Sequence, residues 1–178
     1  MRKVIESTLL SLDGVIGDPH AWAGKYFDAE AQQSSLDQLL QSEAMLMGKN
    51  TYQSFAQVWP QWTGPYAERV NGMRKYVFSS TLERAAWGNS MIVRGDVPAE
   101  VDRLKQQGGH DLVIYGHGPL GQALLRHGLL DELHFRIHPV IVGRGRLAFA
   151  EGEQAALELV ESATLANGVI TARYRPSA

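Results

Sequence analysis

The sequence predicts an α/β fold in which helices cover both faces of a mostly parallel sheet and an antiparallel hairpin forms one edge. Three observations support this prediction. Strand and helix patterns alternate through most of the chain, and only strand patterns follow them. The size is also that of one domain over residues 1–178, with 44% hydrophobic and 20% charged residues. A chain of this length buries enough apolar surface to fold without a disulfide or a metal ion.

The first half of the chain alternates short apolar runs with amphipathic segments. The first run stops at the turn dipeptide Asp13-Gly14, and the next segment repeats alanine and leucine at helical spacing. In order, the predicted elements are a strand at Val4–Leu12, a helix at Asp28–Gln41, a strand at Ala44–Met47, a short helix at Thr51–Phe55, a loop at Trp59–Pro65, and strands at Tyr76–Phe78 and Met91–Val93.

The second half begins with a helix from Pro98 to Gln107, because proline suits a first helical turn and Gly108-Gly109 then ends the helix. The elements that follow are a strand at Leu112–Tyr115, a glycine turn, a helix that starts near Pro119, and a half-buried strand at Leu133–His138. Two further strands, Leu157–Leu165 and Val169–Tyr174, flank Ala166-Asn167-Gly168. The Asn-Gly pair predicts a hairpin with a type I′ turn.

Composition excludes several classes of function. With no cysteine there is no disulfide, thiolate metal site or cysteine nucleophile. Apolar runs are too short for a membrane helix, and the charged start Met1–Glu6 does not fit a secretory signal, so we expect a cytoplasmic protein without a membrane partner. A net charge of -2 without a basic block argues against nucleic acid.

Two further patterns are candidate ligand sites. His134 and His138 have the spacing of a helical metal pair, but on a strand they stand roughly 13 Å apart, so we predict no metal site. The segment Gly143-Arg144-Gly145-Arg146 would contact a phosphate or would instead serve solubility or an interface.

Three predicted strand ends carry residues suited to an anion. Gly48-Lys49-Asn50-Thr51 and Ser79-Ser80-Thr81 follow two of the strands, and Gly116-His117-Gly118 follows a third. In open α/β sheets ligands bind beside the carboxyl ends of strands, so these turns predict one shared cleft. A cation and hydroxyls suit a monoester phosphate, and glycines expose N–H groups to a pyrophosphate. Purely structural roles stay open for each turn: a solvated lysine, a helix cap or a plain turn.

Six short motifs, in their order and spacing, resemble one known superfamily. They are Ser11–Ile16, Met47–Tyr52, Tyr76–Thr81, Tyr115–Gly118, Gly128–Leu133 and Pro139–Gly143. They are similar to the dihydrofolate reductase-like superfamily, and most of all to the C-terminal reductase domain of the bacterial bifunctional riboflavin-biosynthesis deaminase/reductase. The resemblance implies a three-layer α/β/α fold and a homodimer. It also implies an NADPH-dependent reductase of the 5-amino-6-(5-phosphoribosylamino)uracil reductase type, with a small heterocyclic or sugar-derived substrate.

The resemblance also implies roles for particular residues. Lys49, Asn50 and Thr51 would take the adenosine-side phosphates, and Ser79 and Ser80 would lie near the 2′-phosphate, while Gly48 and Thr81 would also bind the cofactor. The pyrophosphate would be wrapped by Tyr115, Gly116, His117, Gly118, Pro119 and Leu120. The nicotinamide and substrate would be lined by Asp13, Gly14, Val15 and Ile16. Asp13 is the expected catalytic group, unless its carboxylate only caps its own Asp-Gly turn.

The chain departs from that family at the glycine turn, where His117 separates Gly116 from Gly118 in place of two adjacent glycines. A side chain there would either narrow the phosphate cradle or contribute a donor. Carboxylates at Asp28, Glu30 and Asp37 do not match the spacing of the substrate-binding carboxylate of dihydrofolate reductases, so folate is not the expected substrate. The alternative function is a non-catalytic relative of the same fold that binds a nucleotide or a flavin.

Overall fold

The structure, a computed structural model, describes residues 1–177. Its elements follow one another along the chain as β1 (Val4–Ser11), α1 (Pro19–Trp22), α2 (Ala29–Leu40), β2 (Ser42–Gly48), α3 (Lys49–Val58), α4 (Pro65–Gly72), β3 (Arg74–Phe78), β4 (Ser90–Val93), α5 (Val97–Gln106), β5 (Asp111–Tyr115), α6 (Pro119–Arg126), β6 (Glu132–His138), β7 (Leu157–Thr164) and β8 (Ile170–Pro176). Two short 3₁₀ turns lie at Gly24–Tyr26 and Trp59–Gln61.

The eight strands form one sheet in the order β4-β3-β2-β5-β1-β6-β8-β7. The first six strands in this order, from β4 across the sheet to β6, are all parallel to their neighbours. Strand β8 runs antiparallel to both β6 and β7. This arrangement confirms the predicted α/β class, with a mostly parallel sheet and an antiparallel C-terminal hairpin. It also places β3, β2, β5 and β1 side by side, so the turns that follow them lie at one edge of the sheet.

Alternating strand residues supply two hydrophobic cores, one on each face of the sheet. On one face Leu46 and Ile114 pack with Val101 of α5 and Leu124 of α6. On the other face the core consists of Met45, Met47, Val77 and Val113 of the sheet with Leu39, Tyr52 and Val70 of α2, α3 and α4. Burying both faces of a parallel sheet produces the three-layer arrangement that the sequence predicts.

The helices begin in two different ways. Asp28 and Asp96 cap α2 and α5, accepting hydrogen bonds from backbone N–H groups three residues further on. By contrast, α3 begins after Gly48 and α6 after Gly118, and neither helix has a side-chain cap. The first N–H groups of these two helices therefore remain available to a ligand.

Three helices differ from the sequence prediction, and the first of them is α1, a single turn at Pro19–Trp22 where we predicted no helix. The helix predicted at Thr51–Phe55 extends over Lys49–Val58, and the segment after the predicted loop forms α4, for which we predicted no helix. Eight residues give too little periodicity to recognise, yet Ala67 and Val70 of α4 are buried against the sheet, and Pro65 suits its first turn. Within residues 1–177 no helix is both long and apolar enough to cross a bilayer.

The predicted C-terminal hairpin is present, but its predicted type I′ turn is wrong. That turn needs positive φ at both central residues, whereas among residues 1–177 only Asp18 and Asn89 have positive φ apart from glycines. Gly168 has φ 84° and donates its N–H to the Leu165 carbonyl at 2.9 Å. A type I turn followed by a left-handed glycine therefore joins the strands.

Candidate active site

The principal cleft of the sheet lies at the carboxyl ends of β1, β2 and β5. It is a cavity of about 680 Å³, a volume that suits a small-molecule or cofactor site. Ten of the residues predicted as cofactor-binding line it, namely Ile16, Gly48, Lys49, Asn50, Thr51, Tyr115, Gly116, Gly118, Pro119 and Leu120. Of the three turns predicted to share one cleft, those after β2 and β5 line this cavity, and the turn after β3 does not.

The turn after β2 presents a cation and a free helix terminus. Lys49 lines the cavity, and its ammonium donates a 2.9 Å hydrogen bond to Thr81 Oγ1 in the turn after β3. A Cβ atom at Gly48 would meet no protein atom within 4 Å, and Gly48 has ordinary extended backbone angles. The missing side chain at Gly48 therefore leaves open space beside the N-terminus of α3.

The turn after β3 lies beside the cavity, and Ser79, Ser80 and Thr81 are not among its lining residues. The Ser79 hydroxyl accepts the Leu82 N–H at 2.9 Å, which is the local turn role weighed from the sequence. Arg94 donates from Nη1 to the Ser80 carbonyl at 2.8 Å and so holds this turn in place. The hydrogen bond from Lys49 to Thr81 joins the turn to the cavity.

The three residues of the glycine turn after β5, Gly116, His117 and Gly118, lie in two different environments. Gly116 needs its left-handed conformation (φ 77°), and its N–H is bonded to the Ser7 carbonyl of β1 at 2.9 Å. Gly118 precedes α6 and faces the cavity with Pro119 and Leu120. The His117 side chain is 1% exposed and points into the protein, so it does not narrow the cradle.

The loop after β1 contains the predicted catalytic Asp13. Its carboxylate accepts hydrogen bonds from the Ser11 hydroxyl at 2.7 Å and from the Val142 and Gly143 N–H groups at 3.1 and 2.7 Å. These bonds, that of Ser11 first, lower the pKa of Asp13 from 3.8 to about 2. Asp13 therefore holds the 142–143 loop and is ionised at neutral pH, and its catalytic role stays a prediction.

Gly14 and Val15 belong to a short two-stranded pairing next to the cavity. Val15 forms an antiparallel bridge with Leu147, and the Ala148 N–H donates to the Gly14 carbonyl at 2.9 Å. Ile16 follows at the cavity wall, where its N–H donates to the Arg146 carbonyl at 2.8 Å. Of the predicted nicotinamide-lining residues, only Ile16 lines the cavity itself.

A buried polar cluster lies behind the cavity wall on the α2 side of the sheet. Arg136 Nη1 donates to Gln38 Oε1 at 3.0 Å and to Ser7 Oγ at 3.3 Å, and Ser7 lines the cavity. Beside it the hydroxyls of Tyr66 and Tyr115 are 3.1 Å apart. Burial lowers the pKa of Arg136 and raises those of the two tyrosines. Among the ion pairs of residues 1–177, none includes Arg136.

The cavity also has walls that the sequence analysis did not assign. They include Ser54 and Phe55 of α3, the segment Gly17–His20, and Arg146. Asp18 in that segment has φ 49°, a strained conformation for a residue with a side chain and one typical of functional sites. Arg146 belongs to a pattern that we had weighed as a phosphate contact, but the other residues gave no signal in the sequence.

The fold is dihydrofolate reductase-like. The structure resembles dihydrofolate reductase from Enterococcus faecalis, complexed with NADP(H), with a TM-score of 0.68 over 99% of this chain and 97% of that one, at 12% identity. The sequence matches the RibD C-terminal domain family over residues 2–171. The chain therefore belongs to the RibD C-terminal domain family, as its motifs predicted.

The chain is also similar to individual proteins and solved structures. The uncharacterized protein YyaP of Bacillus subtilis (strain 168) is 27% identical over 97% of this chain and 94% of its own length. A putative riboflavin biosynthesis protein from Shewanella sp. PV-4 has a TM-score of 0.76 at 19% identity and 99% coverage of both chains. The deaminase/5-amino-6-(5-phosphoribosylamino)uracil reductase of Thermotoga maritima has a TM-score of 0.71 at 18% identity, covering 99% of this chain and 57% of that one.

Proposed function

We propose that this protein is an NADPH-dependent reductase that transfers a hydride to a small heterocyclic or sugar-derived substrate. The observation that carries the proposal is the convergence of the turns after β2 and β5 on one cavity, with the turn after β3 tied to Lys49. Membership of the RibD C-terminal domain family suggests an oxidoreductase. The activity of the structurally similar Thermotoga maritima protein, a 5-amino-6-(5-phosphoribosylamino)uracil reductase, supports a ribosylaminouracil-like substrate.

The residues present fit a phosphorylated dinucleotide. Two helix N-termini without side-chain caps, those of α3 and α6, open at the cavity and favour negatively charged groups. Lys49 adds a cation at one end, and Gly48 and Gly116 keep open the space that a Cβ atom would fill. One chain thus offers separate positions for a monoester phosphate and a pyrophosphate.

In the proposed complex, each cluster of residues binds one part of the cofactor. Lys49–Thr51 and the neighbouring turn Ser79–Thr81 hold the adenosine-side phosphates, including the 2′-phosphate. The turn at Tyr115–Leu120 wraps the pyrophosphate, and the Leu120 N–H in the first turn of α6 donates to it, because the N–H groups of Gly116 and Gly118 are bonded within the protein and Pro119 has none. Gly14–Ile16 and Asp13 form the nicotinamide and substrate end. When bound, NADPH supplies a hydride and leaves as NADP⁺, and the substrate takes up one proton.

The substrate end of the cavity offers a polar anchor beside an aromatic wall. Ser7 stands between the cavity and the buried guanidinium of Arg136, and Phe55 and Tyr115 line the same wall with their rings 5.6 Å apart. An electron-rich carbonyl or anionic group of the substrate would partly compensate the buried positive charge of Arg136. The protein thus holds a planar substrate against the cofactor and excludes water.

We also propose a homodimer. Strand β7 is an outer strand of the sheet, and its Leu159 and Val160 are 52% and 46% exposed. An exposed apolar edge strand is a favourable surface for pairing with a second copy. Light scattering of the purified protein should give twice the mass of the chain, and L159E should shift the protein towards monomer. A monomer at all concentrations would contradict this assignment.

The proposed function is tested by titrating the protein with NADPH and following tryptophan fluorescence. Trp22 Nε1 donates to the carbonyl of Gly17, a cavity residue, so occupancy of the cavity should change the emission. We expect saturable binding at submillimolar NADPH and its oxidation when pyrimidine or pteridine compounds are added. Binding without oxidation of NADPH by any substrate would favour the non-catalytic alternative, and no binding of NADPH would contradict the proposed reductase.

A further inference from the structure

His117 occupies the middle of the glycine turn but takes no part in the cavity wall. Its Nδ1 lies 2.9 Å from both carboxylate oxygens of Glu6 on β1, and its Nε2 lies 3.0 Å from Glu153 Oε1. Both the imidazole and the Glu6 carboxylate are fully buried. The side chain that interrupts the two glycines therefore binds two carboxylates from distant parts of the chain.

The cluster of Glu6, His117 and Glu153 is matched in charge and shape. An imidazolium donates from both ring nitrogens, and two carboxylates accept. Burial lowers the pKa of His117, but hydrogen bonds and charge from Glu6, then Glu153, outweigh it and raise the pKa. Helix α6 also places Arg126 near the cluster, and its positive charge helps to lower the pKa of Glu153. A Cβ atom at Gly121 would overlap Glu6 Oε2, so α6 carries a glycine where it passes the cluster.

Glu153 connects this cluster to the chain segment 146–153. Its Oε2 accepts the Ala150 N–H at 3.0 Å, which closes a turn, and the Phe149 ring lies 5.0 Å from the His117 ring. The same segment pairs through residues 146–148 with residues 14–17 beside the cavity. His117 thus joins the glycine turn, strand β1 and the segment that borders the nicotinamide end.

Arg146 lies where this segment meets the glycine turn. Its Nη1 would be 3.5 Å from a Cβ atom placed on Gly118, and the residue lines the cavity. Within residues 1–177 its side chain makes neither a hydrogen bond nor an ion pair, so the guanidinium is available to a ligand. A second cation therefore faces the position proposed for the pyrophosphate, next to the N-terminus of α6.

We propose that His117 is a positioning residue, and that the cluster Glu6–His117–Glu153 fastens segment 146–153 to the glycine turn so that Arg146 binds the same anion as that turn. The inference rests on the proposed function for the identity of the anion, a pyrophosphate. Arg146 contacts the cofactor in this arrangement, whereas His117 acts through the backbone that it holds.

The test compares H117Q, E153Q and R146A with H127Q, a matched control because His127 is an exposed histidine at the end of α6. Each variant is titrated with NADPH and with adenosine 2′-monophosphate, which lacks a pyrophosphate. R146A and H117Q should lower the affinity for NADPH about tenfold, while their affinity for adenosine 2′-monophosphate should equal that of the wild type. H127Q should change neither affinity.

A double variant separates positioning from a general structural effect. If His117 acts through Arg146, H117Q combined with R146A should bind NADPH no more weakly than R146A alone. Multiplication of the two single losses would overturn the proposal, as would an equal loss of adenosine 2′-monophosphate in H117Q. E153Q keeps the contact between His117 and Glu6. If H117Q does not fold, E153Q combined with R146A therefore tests whether the cluster acts through Arg146.

If the wild type binds no NADPH, the proposed function is wrong and the positioning role is still measured in the ligand-free protein. Amide hydrogen exchange should then rise in E153Q both in segment 146–153 and in the turn 116–118, because the cluster holds both. Faster exchange confined to the residues next to position 153 would contradict the positioning role. In H127Q both segments should exchange as in the wild type.

Discussion

The ammonium of Lys49 lies 2.9 Å from Thr81 Oγ1, so one hydrogen bond joins the turns that follow two neighbouring strands. The bond places the cation of the turn after β2 within reach of the hydroxyls of the turn after β3. A phosphate bound there would take the place of Thr81 as acceptor and would gain a charge-assisted bond. This pair is the structural reason to expect recognition of a 2′-phosphate.

Lys49→Ala combined with Ser80→Ala should reduce the preference for NADPH over NADH. Losing one charge-assisted phosphate contact costs about 1.5 to 3 kcal/mol, which corresponds to tenfold or more in affinity. Fluorescence titration of both cofactors measures the preference. Arg103→Ala removes one positive charge from a residue of α5 that does not line the cavity, and it should leave the ratio unchanged. An equal loss of NADPH and NADH affinity in the double variant would refute the assignment.

Gly48→Ala should weaken cofactor binding without weakening the fold. The added methyl group meets no protein atom within 4 Å and enters the cavity, and φ at Gly48 is -76°, so the backbone is unstrained. Stability should stay constant or rise by up to about 1 kcal/mol. Gly72→Ala is the matched control, since it also adds a methyl group in open space but outside this cavity. Equal NADPH affinity in both variants would contradict the location of the site.

Asp13→Asn should destabilise the protein at neutral pH and less so in acid. The pKa of Asp13 is lowered to about 2, so its ionised carboxylate stabilises the fold above its usual pKa of 3.8, and this contribution is lost as the pH falls towards 2. Thermal unfolding of both proteins between pH 7 and pH 3 measures the difference. A difference that grows in acid would show that the bonds to Val142 and Gly143 do not depend on the charge.

The stability that His117 contributes should decline in alkaline solution. Because the folded protein raises the pKa of His117, the contribution is fully present below the usual pKa of 6.5 and is lost as the pH rises through the raised value. Subtracting the unfolding free energy of H117Q from that of the wild type isolates this term from the other histidines. A difference that increases above pH 7 would contradict a protonated His117.

Arg136→Met should separate substrate binding from folding. The guanidinium is buried, and within residues 1–177 it has no carboxylate partner, so an apolar side chain of similar length should keep or raise the melting temperature. NADPH affinity should stay as in the wild type, while KM for the substrate rises, because Ser7 loses its donor. Unchanged kinetics in this variant would exclude the polar cluster from the substrate site.

Local patterns in the sequence were sufficient to predict the strands, most helices and the turns at their ends. Glycine, lysine and hydroxyl residues directly after apolar runs predict Gly48–Thr51 and Gly116–Leu120 as turns suited to an anion. This was possible because backbone exposure and helix termini are local properties. Helix α4 was missed since eight residues give little periodicity. The turn at Asn167-Gly168 was assigned wrongly because its conformation depends on how the hairpin twists, which a dipeptide does not determine.

Buried charges are the part of the site that the sequence could not predict. Glu6, Lys75 and Arg136 lie in strands β1, β3 and β6, and each is buried although charged residues are usually exposed. For two of them the partners are remote in sequence, since Glu6 meets His117 and Arg136 donates to Gln38, whereas Lys75 donates to nearer carbonyls at Met73 and Gly88. Long-range pairing of this kind is set by the sheet topology, so a local pattern contains no sign of it.

A crystal structure of the protein grown with NADPH tests the central claim most directly. We expect the pyrophosphate within hydrogen-bond distance of the N–H groups at the start of α6, with the Arg146 guanidinium beside it. We also expect the 2′-phosphate at Lys49, with the ammonium turned from Thr81 to the phosphate. A cofactor bound away from the turns after β2 and β5, or crystals that take up no NADPH at millimolar concentration, would contradict the claim.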